Sequence, residues 1–313
     1  MTTVQENSSS VSSQAFAKKC RRKALLKKHA FIWTMLAGPI VCWFIFYLYT
    51  NLNMIVMAFQ TPKGAWTWQN FVSFWDNLSA TDGSLRIAVW NTFLYFLLAN
   101  AVILPIGTLI AYFLYKKVAG YKFFRVAIFL PSIIPGVVMV TVFKEIISPV
   151  GPLGKTGWIP ALGFLGQDST ATPTVLFYTF WTGFSSIMLL MSGTMARIPT
   201  EVMEAAKLDG CGPFREFRSL VIPLIFSTLT TQLIFGLTGL FSSSGPILLM
   251  TGGAHKTTTL SYWIFENVYG STGATAADAY NIVSATGLVF TVILFPIILL
   301  VRFLVNKVDM VEY

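Results

Sequence analysis

Six apolar runs dominate this chain, at about 31–58, 87–115, 123–146, 174–195, 218–242 and 281–305. Each reaches the roughly 20 residues that a helix needs to cross a hydrocarbon core. The runs are continuous, whereas a transmembrane barrel needs strands of about ten residues with alternating polarity. Helices satisfy every backbone polar group within their own segment, which hydrocarbon requires. Only 11% of the residues are charged and 55% are hydrophobic, against about 25% charged in soluble domains. The expected fold class is therefore an all-α membrane protein with six transmembrane helices.

Orientation follows from the basic residues between the runs. With the N-terminus inside, seventeen of the 22 Lys and Arg residues fall in cytoplasmic segments, and Lys63, Arg86, Lys144, Lys155 and Lys256 fall outside. The positive-inside rule thus predicts that both termini are cytoplasmic. The net charge of +9 reflects this topology and contact with anionic membrane lipid. No basic stretch is interleaved with aromatics in a polar context, so nucleic acid is not an expected partner. The first run is too long for a signal-peptide core and lacks a small-residue cleavage site, so it reads as a retained helix.

The predicted organisation is a tail over 1–30, disordered at first and then basic, a transmembrane domain over 31–305, and a short cytoplasmic tail over 306–313. The Ser/Thr-rich start is too poor in apolar residues to order itself. The KKCRRKALLKK run after it serves as a topogenic anchor at the membrane surface.

Several chemistries are set aside. Cys20, Cys42 and Cys211 lack CxxC spacing and have no His cluster nearby, so reduced thiols are expected. His29 and His255 lie on opposite sides of the predicted membrane, which leaves no zinc site. Residues 151–157, GPLGKTG, mimic a phosphate-binding loop, but the position that requires the first Gly holds Pro149. No ATP site, catalytic residue, metal or cofactor is predicted. Nor does any run carry an ionised residue near its centre, where ion and proton pathways usually place one.

The runs instead carry Asn91, Asn100, Trp181, Ser185, Ser186, Thr231, Gln232 and Thr238. Ser and Thr in membrane helices commonly bond between helices. Gln232 stands out, since a primary amide in hydrocarbon needs all its partners. It is a candidate for the translocation path. Pro131 and Pro135, one turn apart, predict a kink in the third run, either a packing feature or a hinge, and Pro105 predicts another in the second.

Between the fourth and fifth runs lies a polar island over 197–219. Pro199 and Thr200 can start a helix, and Glu201 sits in the first turn, where the helix dipole favours an anion. Gly210 can end it in the left-handed region, and Gly212 with Pro213 opens the next helix. The string EAA at 204–206, DG at 209–210 and IPL at 222–224 resembles the EAA loop of binding-protein-dependent ABC importer permeases. NTF at 91–93, FFR at 123–125, FLP at 129–131, Trp181 with Gly183, and LMTGGAHKTTTL at 249–260 extend the resemblance to carbohydrate-importer permeases over roughly 30–305. Ala254 departs from the usual Pro, and Cys211 from the common Ala.

The resemblance implies a type I ABC importer permease fold in the plasma (inner) membrane. It also implies a second permease subunit, two ATP-binding-cassette ATPases and an extracytoplasmic solute-binding protein as partners. Glu204, Ala205, Ala206, Gly210 and Phe214 would then couple to the ATPase. Alignment with a maltose-type permease places sugar contacts at Thr179, Gly183, Ser186, Gly236 and Ser243, while Trp181 could offer a ring face or simply pack. The short C-terminal tail and the double-glycine loop look like those of a first permease. Alternating access for a neutral sugar is the implied mechanism. A secondary transporter or channel for a small polar solute is the alternative, and a membrane enzyme ranks third.

Overall fold

The computed structural model describes residues 27–80, 83–157, 160–239, 246–270 and 274–307, and these fold almost wholly into helices. The start predicted to be disordered and most of the predicted basic anchor lie outside the described residues. Five helices are long and apolar enough to cross a membrane: α1 (Lys27–Ala58), α3 (Ser84–Tyr115), α6 (Ala171–Met195), α8 (Pro213–Thr238) and the Ala279–Val305 stretch of α11 (Ala274–Asn306). Shorter helices join them: α2 (Gln69–Ser79), α4 (Tyr121–Ile133), α5 (Gly136–Ile146), α7 (Thr200–Leu208), α9 (Ile247–Met250) and α10 (Leu260–Tyr269). Among the described residues, the single β pairing is a bridge between Gln60 and Trp66.

The third apolar run departs from expectation. It forms α4 and α5, bent by 105° from one another, rather than one kinked helix. The break falls at Pro135, whose ring disfavours the helical region for the residue before it. Ile134 accordingly turns extended, with φ −77° and ψ 132°. Pro131 stays inside α4 without breaking it. One turn earlier, the Ile128 carbonyl accepts a 2.6 Å hydrogen bond from the buried Ser185 hydroxyl on α6.

At Pro105 the chain does not break, and α3 continues past it as one helix of 32 residues. The pyrrolidine has no N–H and crowds the carbonyl four residues earlier. A π-helical turn at Leu98–Ile103 takes up the misfit by widening the helix just ahead of the proline. The same device recurs in α8, where a π-helical turn at Phe217–Val221 precedes Pro223.

Three buried clusters hold the helices together. At one end, Tyr112 and Leu114 of α3 meet Met191 and Met195 of α6, Met203 of α7 and Val221 of α8. A second cluster packs Tyr95 of α3 against Phe143 of α5, Tyr178 of α6 and Tyr262 of α10. The third joins Phe74 of α2, Leu85 and Ala88 of α3, and Trp263 of α10.

The opposite end of α3 anchors the loop between α9 and α10. Four residues of that loop are left-handed, with φ of 58° at Gly252, 77° at Gly253, 53° at His255 and 58° at Lys256. The buried Asn91 amide spends both its hydrogens on this loop, donating to the Lys256 carbonyl at 2.7 Å and the Thr258 carbonyl at 2.9 Å. Thr92 accepts the Leu260 N–H at 2.9 Å. Asp168 approaches His255 Nδ1 at 3.2 Å and Lys256 Nζ at 3.5 Å. Burial, reinforced by the Glu266 carboxylate, holds the Tyr262 phenol above the usual tyrosine range.

Leaving a buried carbonyl unpaired costs about 1–3 kcal/mol, so Asn91→Leu should free the loop while α3 remains helical. The expected outcome is a lower thermal midpoint for the purified protein and faster thiol labelling of a cysteine placed at Ala254. Unchanged labelling would show that the loop does not depend on Asn91.

Candidate functional site

The polar island folds as a short helix with both ends defined by local chemistry. Helix α7 begins after Pro199 and carries Glu201 in its first turn. It closes in a Schellman motif, in which the Cys211 N–H reaches the Ala206 carbonyl at 3.0 Å and the Gly210 N–H the Lys207 carbonyl at 3.1 Å. Gly210 takes φ +69°, and a Cβ there would meet nothing within 4 Å.

One face of α7 is tethered and the other is free. Met203 is buried in the first cluster and Ala206 is half-buried, whereas Glu201, Glu204, Ala205 and Gly210 are exposed. Leu208 is 90% exposed and Phe214, just beyond, is 73% exposed. Two large apolar side chains thus project from a polar segment, the kind of surface that marks an interaction site. Leu208 is the residue here that sequence reasoning misses. Its position on the free face of α7, one turn after Glu204, is the signal that could have found it.

Beside this helix, an ion pair joins segments distant in sequence. Lys116, at the end of α3, places Nζ 2.7 Å from Oε1 and 2.9 Å from Oε2 of Glu216, in the first turns of α8. The Glu216 side chain is 2% exposed. The Tyr112 hydroxyl lies 2.9 Å from the Pro213 carbonyl and 3.2 Å from Glu216 Oε1, so its proton is shared between them. Removing one partner of such a pair strands a buried charge, which costs about 3–5 kcal/mol.

Midway along the bundle lies a cavity of about 210 Å³ between α3, α6 and α8. Thr92, Tyr95 and Asn100 of α3 line it, facing Thr179 of α6 and Gly236 of α8. Asn100 sits in the π-helical turn and donates to the Phe96 carbonyl at 3.0 Å. Its amide rests over Gly236, where a Cβ would come within 2.7 Å of Nδ2. Amide, hydroxyl and phenol groups line the cavity, with no ionised side chain among its walls.

The residues chosen from sequence for the path distribute unevenly around this cavity. Thr179 and Gly236, placed by the maltose-type alignment, line it. Gly183, one turn after Thr179, meets α3 instead: a Cβ there would stand 2.7 Å from Ile103 Cδ1. Ser186 is exposed on α6. Trp181 packs its ring 6.2 Å from that of Phe143 and 6.3 Å from that of Tyr178, bridging α6 and α5. Gln232 is half-buried one turn before Gly236, on the same stripe of α8. Ser243 lies outside the described residues. Asn91 and Ser185 serve packing and loop anchoring, as described above. Among the described residues, no three His, Cys, Asp or Glu side chains group as a metal site.

Comparison with known proteins adds a family. The profile described as "Binding-protein-dependent transport system inner membrane component" matches residues 103–310. The chain is 25% identical over 262 residues to the "Multiple sugar-binding transport system permease protein MsmF" of Streptococcus mutans, covering 80% of this chain and 90% of that one. It is 29% identical over 217 residues to the "Probable starch degradation products transport system permease protein AmyD" of Thermoanaerobacterium thermosulfurigenes, covering 67% and 71%. The crystal structure of a bacterial ABC transporter involved in import of the acidic polysaccharide alginate shares the fold, with a TM-score of 0.76 at 20% identity over 92% of this chain and 99% of that one.

The two glycines should respond differently to bulk. Gly183→Leu would drive its side chain against Ile103, and such overpacking costs about 1–3 kcal/mol or more. Gly236→Leu can occupy the cavity once Asn100 turns aside. Folded yield and thermal midpoint should therefore fall more for Gly183→Leu. Equal losses would show that the space beside Gly236 is not open.

Proposed function

This chain belongs to the family of binding-protein-dependent transport system inner membrane components, and we propose that it is one of two permease subunits of an ATP-driven importer of neutral sugars. The observation that carries this reading is the free face of α7 with its exposed Leu208, continued by the exposed Phe214 in the first turn of α8. That surface suits a docking partner, and the sequence carries no phosphate-binding-loop motif to supply the drive itself. In this reading 197–219 is the coupling loop, with Glu204, Ala205, Ala206, Gly210 and Phe214 presented to a cytoplasmic ATPase. The bent pair α4–α5 counts as the third of six spans within a transmembrane domain over 31–305. The Lys116 end of the bundle is cytoplasmic, as are both termini, in keeping with the distribution of Lys and Arg.

A second permease and two ATPases complete the assembly, and an extracytoplasmic binding protein delivers cargo to the His255 end. Closure of the ATPases moves the coupling loops, opens the path outward and is reversed by hydrolysis. The 210 Å³ cavity is smaller than the roughly 300–1,000 Å³ that holds a drug-sized ligand. It therefore forms part of a wall that the second permease completes. The resemblance to a maltose-type first permease gives this chain that place in the pair. The matched relatives bear the names of multiple-sugar and starch-product systems. Uncharged amide and hydroxyl groups suit a neutral polyol and cannot offset the desolvation of an anion. Trp181, Gly183, Ser186, Gln232 and Ser243 would flank the path without all touching cargo.

Uptake into proteoliposomes holding the full importer tests the cargo. Neutral oligosaccharides should be taken up in preference to uronate oligosaccharides of the same length, and the reverse preference would overturn the neutral-cargo reading.

Gly210 tests the loop. A side chain in the left-handed region costs about 1–2 kcal/mol, and the open space around Gly210 leaves backbone strain as the only penalty. Gly210→Val should lower both uptake and cargo-stimulated ATPase activity, while Gly210→Asn, which tolerates that region, should retain most of both. Full activity in Gly210→Val would remove α7 from the coupling role.

A further inference from the structure

The coupling segment is covalently continuous with α6 and α8, but α3 reaches it only through space. That link is unusually specific. Both oxygens of the buried Glu216 are taken by Lys116 Nζ. Tyr112, one turn earlier on α3, reaches the Pro213 carbonyl and Glu216 Oε1, so both ends of the first turn of α8 are held by α3. The Tyr112 ring also lies 5.0 Å from that of Phe217, within the apolar cluster that buries Met203 of α7. The pair resists separation because the Glu216 carboxylate, 2% exposed, would be left without water or its cation.

Midway along its length, α3 meets the cavity. The π-helical turn at Leu98–Ile103 puts Asn100 over Gly236 and Ile103 against Gly183. Lys116 therefore ends the same continuous helix that carries the residues shaping the cavity wall.

We propose that Lys116 and Glu216 are positioning residues that make α3 move with the coupling segment, so that motion at α7 reaches the cavity through α3 as well as through α8. This rests on the assignment of 197–219 as the coupling loop. Neither residue touches cargo or nucleotide. Their effect is read in the amount of sugar moved per ATP hydrolysed, which a purely structural staple would not change.

The test uses the whole importer in proteoliposomes, measuring uptake and ATP hydrolysis together with the thermal midpoint. The double variant Lys116→Met with Glu216→Met removes both charges at once, so no buried charge is stranded and the complex should assemble. Its sugar-to-ATP ratio should fall by about tenfold, the scale set by losing a charge-assisted hydrogen bond, while basal hydrolysis persists. Lys116→Arg, which keeps a donor pair for the carboxylate, should hold the wild-type ratio. A wild-type ratio in the double variant would overturn the proposal and leave the pair as a staple. Should the double variant fail to assemble, Glu216→Gln takes its place: a reduced ratio supports the coupling role and a wild-type ratio overturns it. Gly210→Val separates the two levels: if it transports normally, the coupling-loop assignment itself fails. If it stops transport while the double variant stays coupled, only the role of the ion pair fails.

Discussion

Hydrocarbon offers no partner to a backbone N–H or carbonyl, so every departure from the regular helix must be accommodated within the protein. At three places in this chain a proline decides where such a departure falls. Pro105 and Pro223 each follow a π-helical turn, and both helices continue through. Pro135 instead ends a helix, because the residue before it has been pushed extended. The difference is one of position. A proline inside a wound helix can be absorbed by widening the turn, whereas Pro135 comes one turn after Pro131, and a single helix would need to accommodate both. The functional geometry follows from these choices, since the turn ahead of Pro105 carries the amide that closes over Gly236.

The broad plan is legible in the sequence because it depends on residues close along the chain. The runs at 87–115 and 174–195 correspond to α3 and α6 with ends shifted by only a few residues. The caps of α7 are readable for the same reason, as Pro199, Thr200 and Gly210 act on their own neighbours. The sharpness of the α4–α5 bend is not readable, because Pro131 and Pro135 look alike in a string and differ in what surrounds them.

The features that escape the sequence depend on contacts across the fold. Asn91 resembles any polar group in a membrane helix, yet it anchors a loop at Lys256 and Thr258. Gly183 sits on the face of α6 that the alignment assigns to cargo, but Ile103 occupies the space in front of it. Lys116 stands out in the string only as one of the charges that orient the chain, and nothing there singles out Glu216. Their pairing follows from two helix ends converging, and neither residue forecasts it alone. Charge at the rim of a membrane protein thus serves both insertion and tertiary structure.

The first and last described helices carry a kinetic consequence. Residues 27–47 of α1 are exposed along their whole length, and the rest of the helix packs on α11. Met54 lies beside Gly287 of that helix, where a Cβ would be 3.8 Å from its sulfur. Since α11 is synthesised after every other described helix, α1 must wait in the bilayer for its main packing partner, tied only at its end, where Asn70 of α2 donates to the Ala58 carbonyl at 2.9 Å. The entropic cost of that long closure grows only slowly with the intervening length. The delay is set by synthesis and diffusion in the plane of the membrane, and throughout it the bundle has an open seam.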